Sequence, residues 1–123
     1  MARTALVVED DPVSQLVLSH MLRSRGWTVE ESVDSTDAIA RAASENFDLV
    51  VSDFNLPSGT GLDIVDSLDA SGQSPAFILV TGIIEYASLP HEITSRLDAH
   101  LTKPVSSATL GDALERLFPL VSS

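Results

Sequence analysis

Five side chains in this sequence bring acid, hydroxyl and ammonium chemistry to the ends of apolar runs: Glu9, Asp10, Asp53, Thr81 and Lys103. Ala5 to Val8 stops at Glu9-Asp10-Asp11, and Phe47 to Ser52 stops at Asp53. Ala76 to Val80 stops at Thr81-Gly82, and Ala99 to Thr102 stops at Lys103-Pro104, which holds the only lysine of the chain. Three carboxylates gathered within about 5 Å repel one another and push their pKa values upward unless a cation neutralises them. A hard divalent ion suits such a patch. Mg²⁺ takes one or two carboxylates, keeps waters and leaves room for phosphate oxygens. Taken singly, each residue has a plainer reading. Asp53, followed by Pro57 and small polar residues, can simply organise a turn, Glu9 and Asp10 suit the dipole of a following helix, and Thr81 is a good strand residue.

The elements that would bring these residues together alternate between strand and helix. Ala5 to Val8 reads as a first strand, followed by a helix with Asp11 as N-cap, Pro12 at its first position and a pattern reaching Arg25 before Gly26. On that helix Val17, Leu18 and Met21 form one arc, with Val13 and Leu16 toward the other flank beside His20. Trp27 to Glu31 predicts a partly polar strand near a sheet edge, and Ser35 or Asp34 caps a helix through Glu45 whose small face is Ala38, Ile39, Ala42 and Ala43. Phe47 to Ser52 is the third strand. A helix from about Gly61 to Ala70 turns Leu62, Val65 and Leu68 inward. Ala76 to Val80 is the most hydrophobic run. From Ile83 to Leu97 the pattern is helical in part and interrupted by Pro90, where a helix begins or breaks. Ala99 to Thr102 is a last strand, and Ser106 caps a helix carrying Leu110, Ala113, Leu114, Leu117 and Phe118 until Pro119. Five strand-helix pairs with near-continuous apolar strands predict a parallel sheet covered on both faces. Right-handed crossovers then put every strand's C-terminal end on one edge. That edge would collect the five residues.

Size and charge narrow the classes of function. With 123 residues the chain is expected to form a single domain spanning 1–123, with one core. A formal charge of −11, from 18 acids against 7 bases, argues against direct binding of nucleic acid or an anionic membrane and favours cations and basic partners. No run is long and apolar enough to span a bilayer. The lack of cysteine fits a reducing compartment, so a cytoplasmic protein is expected.

Together, Val7-Val8-Glu9-Asp10-Asp11-Pro12, Ser52-Asp53-Phe54-Asn55-Leu56-Pro57, Val80-Thr81-Gly82 and Leu101-Thr102-Lys103-Pro104, in this order and at these separations, resemble the receiver domain of two-component response regulators. The resemblance covers nearly the whole chain. It implies an α/β, flavodoxin-like, doubly wound parallel sheet of five strands in the order 2-1-3-4-5 with five helices, an order that periodicity alone does not provide. It also implies that Asp53 is a phosphoacceptor, taking a phosphoryl group from a histidine of a sensor kinase or phosphotransfer protein. Asp10 would bind Mg²⁺, or Mn²⁺, directly, Glu9 through water, and Asn55 through its backbone carbonyl. Lys103 would pair with one phosphoryl oxygen and Thr81 with another. The family's output is a surface of the fourth helix, fifth strand and fifth helix acting on a partner or output domain, as a monomer or a phosphorylation-dependent homodimer. Its members are signalling phosphoacceptors rather than enzymes, with self-catalysed phosphotransfer and dephosphorylation.

Departures from the family pattern carry expectations of their own. Where receivers usually have Tyr or Phe three residues before the lysine, this chain has His100, a smaller and polar switch residue that would alter coupling to Thr81. Apolar Ile83 would slow loss of phosphate. Val13, Leu16 and His20, with Pro104 and Val105, form a candidate docking surface for the phosphodonor, unless they are scattered surface hydrophobics. Two rivals are weaker. A phosphohydrolase using Asp53 would place a second acid two residues later, where Asn55 stands, and a flavin or nucleotide carrier would need a phosphate-binding loop where Glu9, Asp10 and Asp11 stand.

Overall fold

The computed structural model describes residues 3–57, 59–72, 75–82, 87 and 89–119. Five strands, β1 (Thr4–Val8), β2 (Thr28–Ser32), β3 (Leu49–Asp53), β4 (Ala76–Thr81) and β5 (Ala99–Thr102), form one sheet. Its order is β2-β1-β3-β4-β5, and every neighbouring pair is parallel. In register, Val8 lies beside Ser32 and Ser52, Asp53 beside Val80, and Thr81 beside Thr102. Among the described residues there are four helices of ten residues or more, α1 (Pro12–Arg23), α2 (Ser35–Ser44), α3 (Gly61–Ser71) and α5 (Ser107–Leu117). A one-turn α4 (His91–Thr94) also lies between β4 and β5, so four full helices stand against the five expected.

Strand alternation splits the core into two layers. Ala5, Val7, Val51, Ile78, Val80 and Leu101 face Leu18 and Leu22 of α1 and Leu110, Ala113 and Leu114 of α5. Leu6, Val8, Val50, Phe77 and Leu79 face Ala38 and Ala42 of α2 and Ile64, Val65 and Leu68 of α3. β1 and β3 read as unbroken apolar runs because both of their faces are covered. β2 is an edge strand, and only its Val29 and Ser32 are buried.

Helix starts follow their caps. Asp11 accepts from Ser14 N ahead of Pro12, Asp34 accepts from Asp37 N, and Ser106 accepts from Thr109 N. Thr60 and Asp63 form a reciprocal capping box for α3. α4 begins immediately after Pro90, whose carbonyl accepts from Thr94 N at 3.1 Å. Pro90 thus stands at the start of a helix.

Several expectations need correction. α1 stops at Arg23, leaving Arg25 in a turn before Gly26, which takes φ +90°. Its buried arc is Leu18, Ser19 and Leu22, whereas Val17 is 42% exposed. On α2 Ala43 is exposed and Ser35 is buried instead, and on α3 Ile64 takes the inward place assigned to Leu62, which is half-buried. β3 starts at Leu49 and not at Phe47; Asp48, just before it, donates its N–H to Thr4 O and accepts from Thr4 N through its carboxylate at 2.8 Å. Ile83 lies outside the described residues, so the expectation attached to it has no structural counterpart.

Candidate phosphoacceptor site

Two strand ends supply the three acids. Glu9 follows β1 and is tied to both neighbours: its N–H donates to Ser32 O, and Gln15 Nε2 reaches from α1 to Glu9 O and Ser32 O. These bonds turn the Glu9 carboxylate inward, where it is 1% exposed, while Asp10 beside it faces solvent. Asp53 ends β3 and is 7% exposed. Carboxylate oxygens of Glu9, Asp10 and Asp53 lie within 4.8 Å of one another.

The positive charge arrives from β5. Lys103 N donates to Thr81 O, and the side chain places Nζ 2.9 Å from Asp53 Oδ2 and 3.5 Å from Glu9 Oε2. The backbone is closed over Asp53 by Phe54 N donating to Val80 O and Gly61 N donating to Phe54 O. Gly61 is required there: a Cβ would stand 2.8 Å from Asp53 O and 2.9 Å from Leu79 Cδ1. Spacing alone did not single out Gly61 or Gln15. A glycine opening a helix against a strand end was the one available signal.

The site carries electrostatic strain that a cation relieves. Burial, and then the Asp53 charge, push the Glu9 carboxyl up to about 7 despite the opposing pull of Lys103. Burial works against the Lys103 ammonium, yet its hydrogen bond to Asp53 and the charges of Asp53 and Glu9 outweigh that and raise its pKa. Glu9 Oε2 is buried and accepts no hydrogen bond among the described residues. A buried carboxylate oxygen left unbonded beside two more carboxylates is a donor set for a hard metal ion. The cluster can hold one.

Thr81 is buried at the end of β4, and its hydroxyl lies 3.1 Å from His100 Nε2 on β5. Burial lowers the His100 pKa. Asn55 is exposed two residues beyond Asp53, in a short antiparallel ladder with Thr60.

The family model for the response regulator receiver domain matches residues 5–115. The chain belongs to that family. The receiver is 34% identical over 103 residues to the probable transcriptional regulatory protein TcrX of Mycobacterium tuberculosis, covering 84% of this chain and 44% of TcrX. The receiver thus spans less than half of that relative. Against the chemotaxis protein CheY of Pseudomonas aeruginosa it is 26% identical over 120 residues, covering 95% of this chain and 97% of CheY. A CheY-like receiver domain from Methylobacillus flagellatus superposes with a TM-score of 0.87 at 28% identity, covering 95% of this chain and 99% of that one. Sheet order, layers and these likenesses agree on the flavodoxin-like fold.

Of the expected docking residues, the receiver brings some together and not others. Val13 of α1 meets Pro104 and Val105 across a groove of about 380 Å³, floored by Leu18 and Val80 and bordered by Val17 and Lys103. Val17, placed above on one arc with Leu18 and Met21, is part of this surface. Leu16 and His20 are exposed on α1 but do not line the groove. Among the described residues no helix is long and apolar enough to cross a membrane.

Proposed function

We propose that this receiver accepts a phosphoryl group on Asp53 from a phosphohistidine of a sensor kinase or phosphotransfer protein. An Asp53 carboxylate oxygen attacks phosphorus, the P–O bond forms as the P–N bond breaks, and the histidine nitrogen leaves with the electron pair and takes up a proton. Glu9, Asp10 and Asp53, with the Asn55 backbone carbonyl, would hold Mg²⁺ or Mn²⁺, whose charge offsets that of the carboxylates and of the incoming phosphoryl oxygens. Lys103 holds an ammonium where that charge develops, and Thr81 offers a hydroxyl to a second oxygen once the group is transferred. The observation that carries this reading is the 2.9 Å Lys103–Asp53 contact inside a cluster of three carboxylates at the C-terminal edge of a parallel sheet.

The reading is of a signalling phosphoacceptor and not a turnover enzyme. Phosphotransfer and later hydrolysis are self-catalysed on one residue, and the β5 and α5 surface with its neighbouring helix conveys the change to an output partner. The groove between α1 and Pro104-Val105 offers the donor an apolar seat beside Lys103, and Val13→Arg on its wall is expected to slow phosphotransfer from a phosphohistidine protein without altering phosphorylation by acetyl phosphate. Incubation with acetyl phosphate, or with beryllofluoride, and Mg²⁺ tests the central claim. One equivalent of acid-stable modification or a saturable spectral change is expected, and Asp53→Asn abolishes it. Repeated turnover of a small phosphate ester would contradict the non-enzyme reading.

A further inference from the structure

Thr81 has one hydroxyl proton and two claims upon it. Its Oγ1 lies 3.1 Å from His100 Nε2, and that ring is its hydrogen-bond partner among the described residues. A phosphoryl oxygen on Asp53 needs the same proton if Thr81 is to answer phosphorylation. A hydroxyl is one donor and two acceptors, so it cannot donate to both at once. Thr81 is β-branched and buried, so the change between partners is a hop between staggered χ1 wells rather than a gradual drift.

Resting on the phosphoacceptor reading above, we propose that His100 is a positioning residue that latches the switch: its bare Nε2 accepts the Thr81 hydroxyl proton and holds Thr81 in the unphosphorylated rotamer. Two further observations fit. Burial lowers the His100 pKa and so favours the neutral ring, in which one nitrogen carries no proton and can accept. Thr102 Oγ1 stands 3.5 Å from the same nitrogen and can donate to it when Thr81 leaves, which keeps the latch shallow enough to open. A ring of Phe type at this position would pack but could not accept. The imidazole therefore adds to the resting state an interaction that phosphorylation must displace.

The expected effect is a population shift. Removing one neutral hydrogen bond from the resting state raises the switched-to-resting ratio roughly 2- to 10-fold. The apparent affinity for beryllofluoride in the presence of Mg²⁺ is then expected to rise by the same factor in His100→Phe. In His100→Gln, whose amide oxygen can still accept, it stays near the parent's. In a Thr81→Val background His100→Phe changes nothing, because the bond is already absent. Imidazole ¹⁵N shifts of the unsubstituted protein provide a test independent of any variant's folding: the latch requires a proton on Nδ1 and none on Nε2. An Nε2-protonated ring overturns the proposal, as does equal beryllofluoride affinity in the parent and His100→Phe, or an undiminished effect in the Thr81→Val background. A parent protein that ignores beryllofluoride overturns the phosphoacceptor reading itself, a failure distinct from the others.

Discussion

Glu9 is the residue at which protein stability and the proposed metal binding would compete. Its carboxyl, ordinarily near 4.5, is raised to about 7 by burial and by Asp53. Between those values the folded protein binds a proton that the unfolded chain does not. The stability contributed by this group is therefore full below about pH 4.5 and is lost as pH rises through about 7. A cation reverses the sign, since it needs the ionised form and its binding expels the proton. Thermal melts with and without Mg²⁺ across this range are expected to show a metal-dependent rise in Tm that is small near pH 5.5 and larger near pH 8, about the Glu9 value of about 7. Glu9→Gln is expected to flatten the pH dependence in both series. A metal-dependent rise equal at the two ends would mean that Glu9 is not among the ligands. Glu9, Asp10, Asp53, Thr81 and Lys103 were legible in the sequence because each ends an apolar run. The bond between Thr81 and His100 was not, because a contact between strands β4 and β5 leaves no mark in either segment alone.

At the scale of elements, the closest packing beside the site is the start of α3 on the end of β3. Gly61 allows it, with Gly61 N donating to Phe54 O and no side chain between the helix and Asp53 O. In Gly61→Ala the new methyl meets backbone and a buried leucine, neither of which can yield freely. A loss of about 1–3 kcal/mol in urea unfolding is expected, with weaker Mg²⁺ binding because Asp53 moves with its carbonyl. Gly111 on α5 provides the contrast: the atoms near a Cβ there belong to the Arg25 guanidinium, the far end of a flexible side chain. Gly111→Ala is expected to be close to neutral, with Arg25 giving up its bonds to Ser107 while the helix gains a better former. Equal losses at both positions would show that the close approach at Gly61 is not what matters. Element types and caps were readable from Asp11-Pro12, from Asp34 or Ser35, and from Ser106, whereas the Thr60 capping box was not read. Inward faces were less so, because α1 and α3 each carry more apolar residues than one buried stripe needs. Periodicity cannot tell the core-facing Ile64 from half-buried Leu62, or core from groove at Val17.

Across the whole molecule, chemistry and cohesion lie at opposite edges of the sheet. Alternation predicted a parallel sheet, yet the placement of β1 between β2 and β3 came from the resemblance to receivers, since no local pattern encodes which strands are neighbours. At the N-terminal edge Trp27 meets Phe118 edge to face at 5.1 Å, and the Arg3 guanidinium lies 4.7 Å from the Phe118 centroid. This stack ties the entry to β1 and β2 to the end of α5. Phe118→Ala removes a half-buried ring and both of its partners' contacts, for an expected loss of about 1–3 kcal/mol. Because the stack lies across the sheet from Asp53, the variant is expected to keep the parent's Mg²⁺ affinity and its beryllofluoride response while the urea midpoint falls. If the Phe118→Ala protein instead loses metal affinity in step with stability, the two edges are coupled through α5, and the site would depend on the packing of the entire domain rather than on the strand ends that carry it.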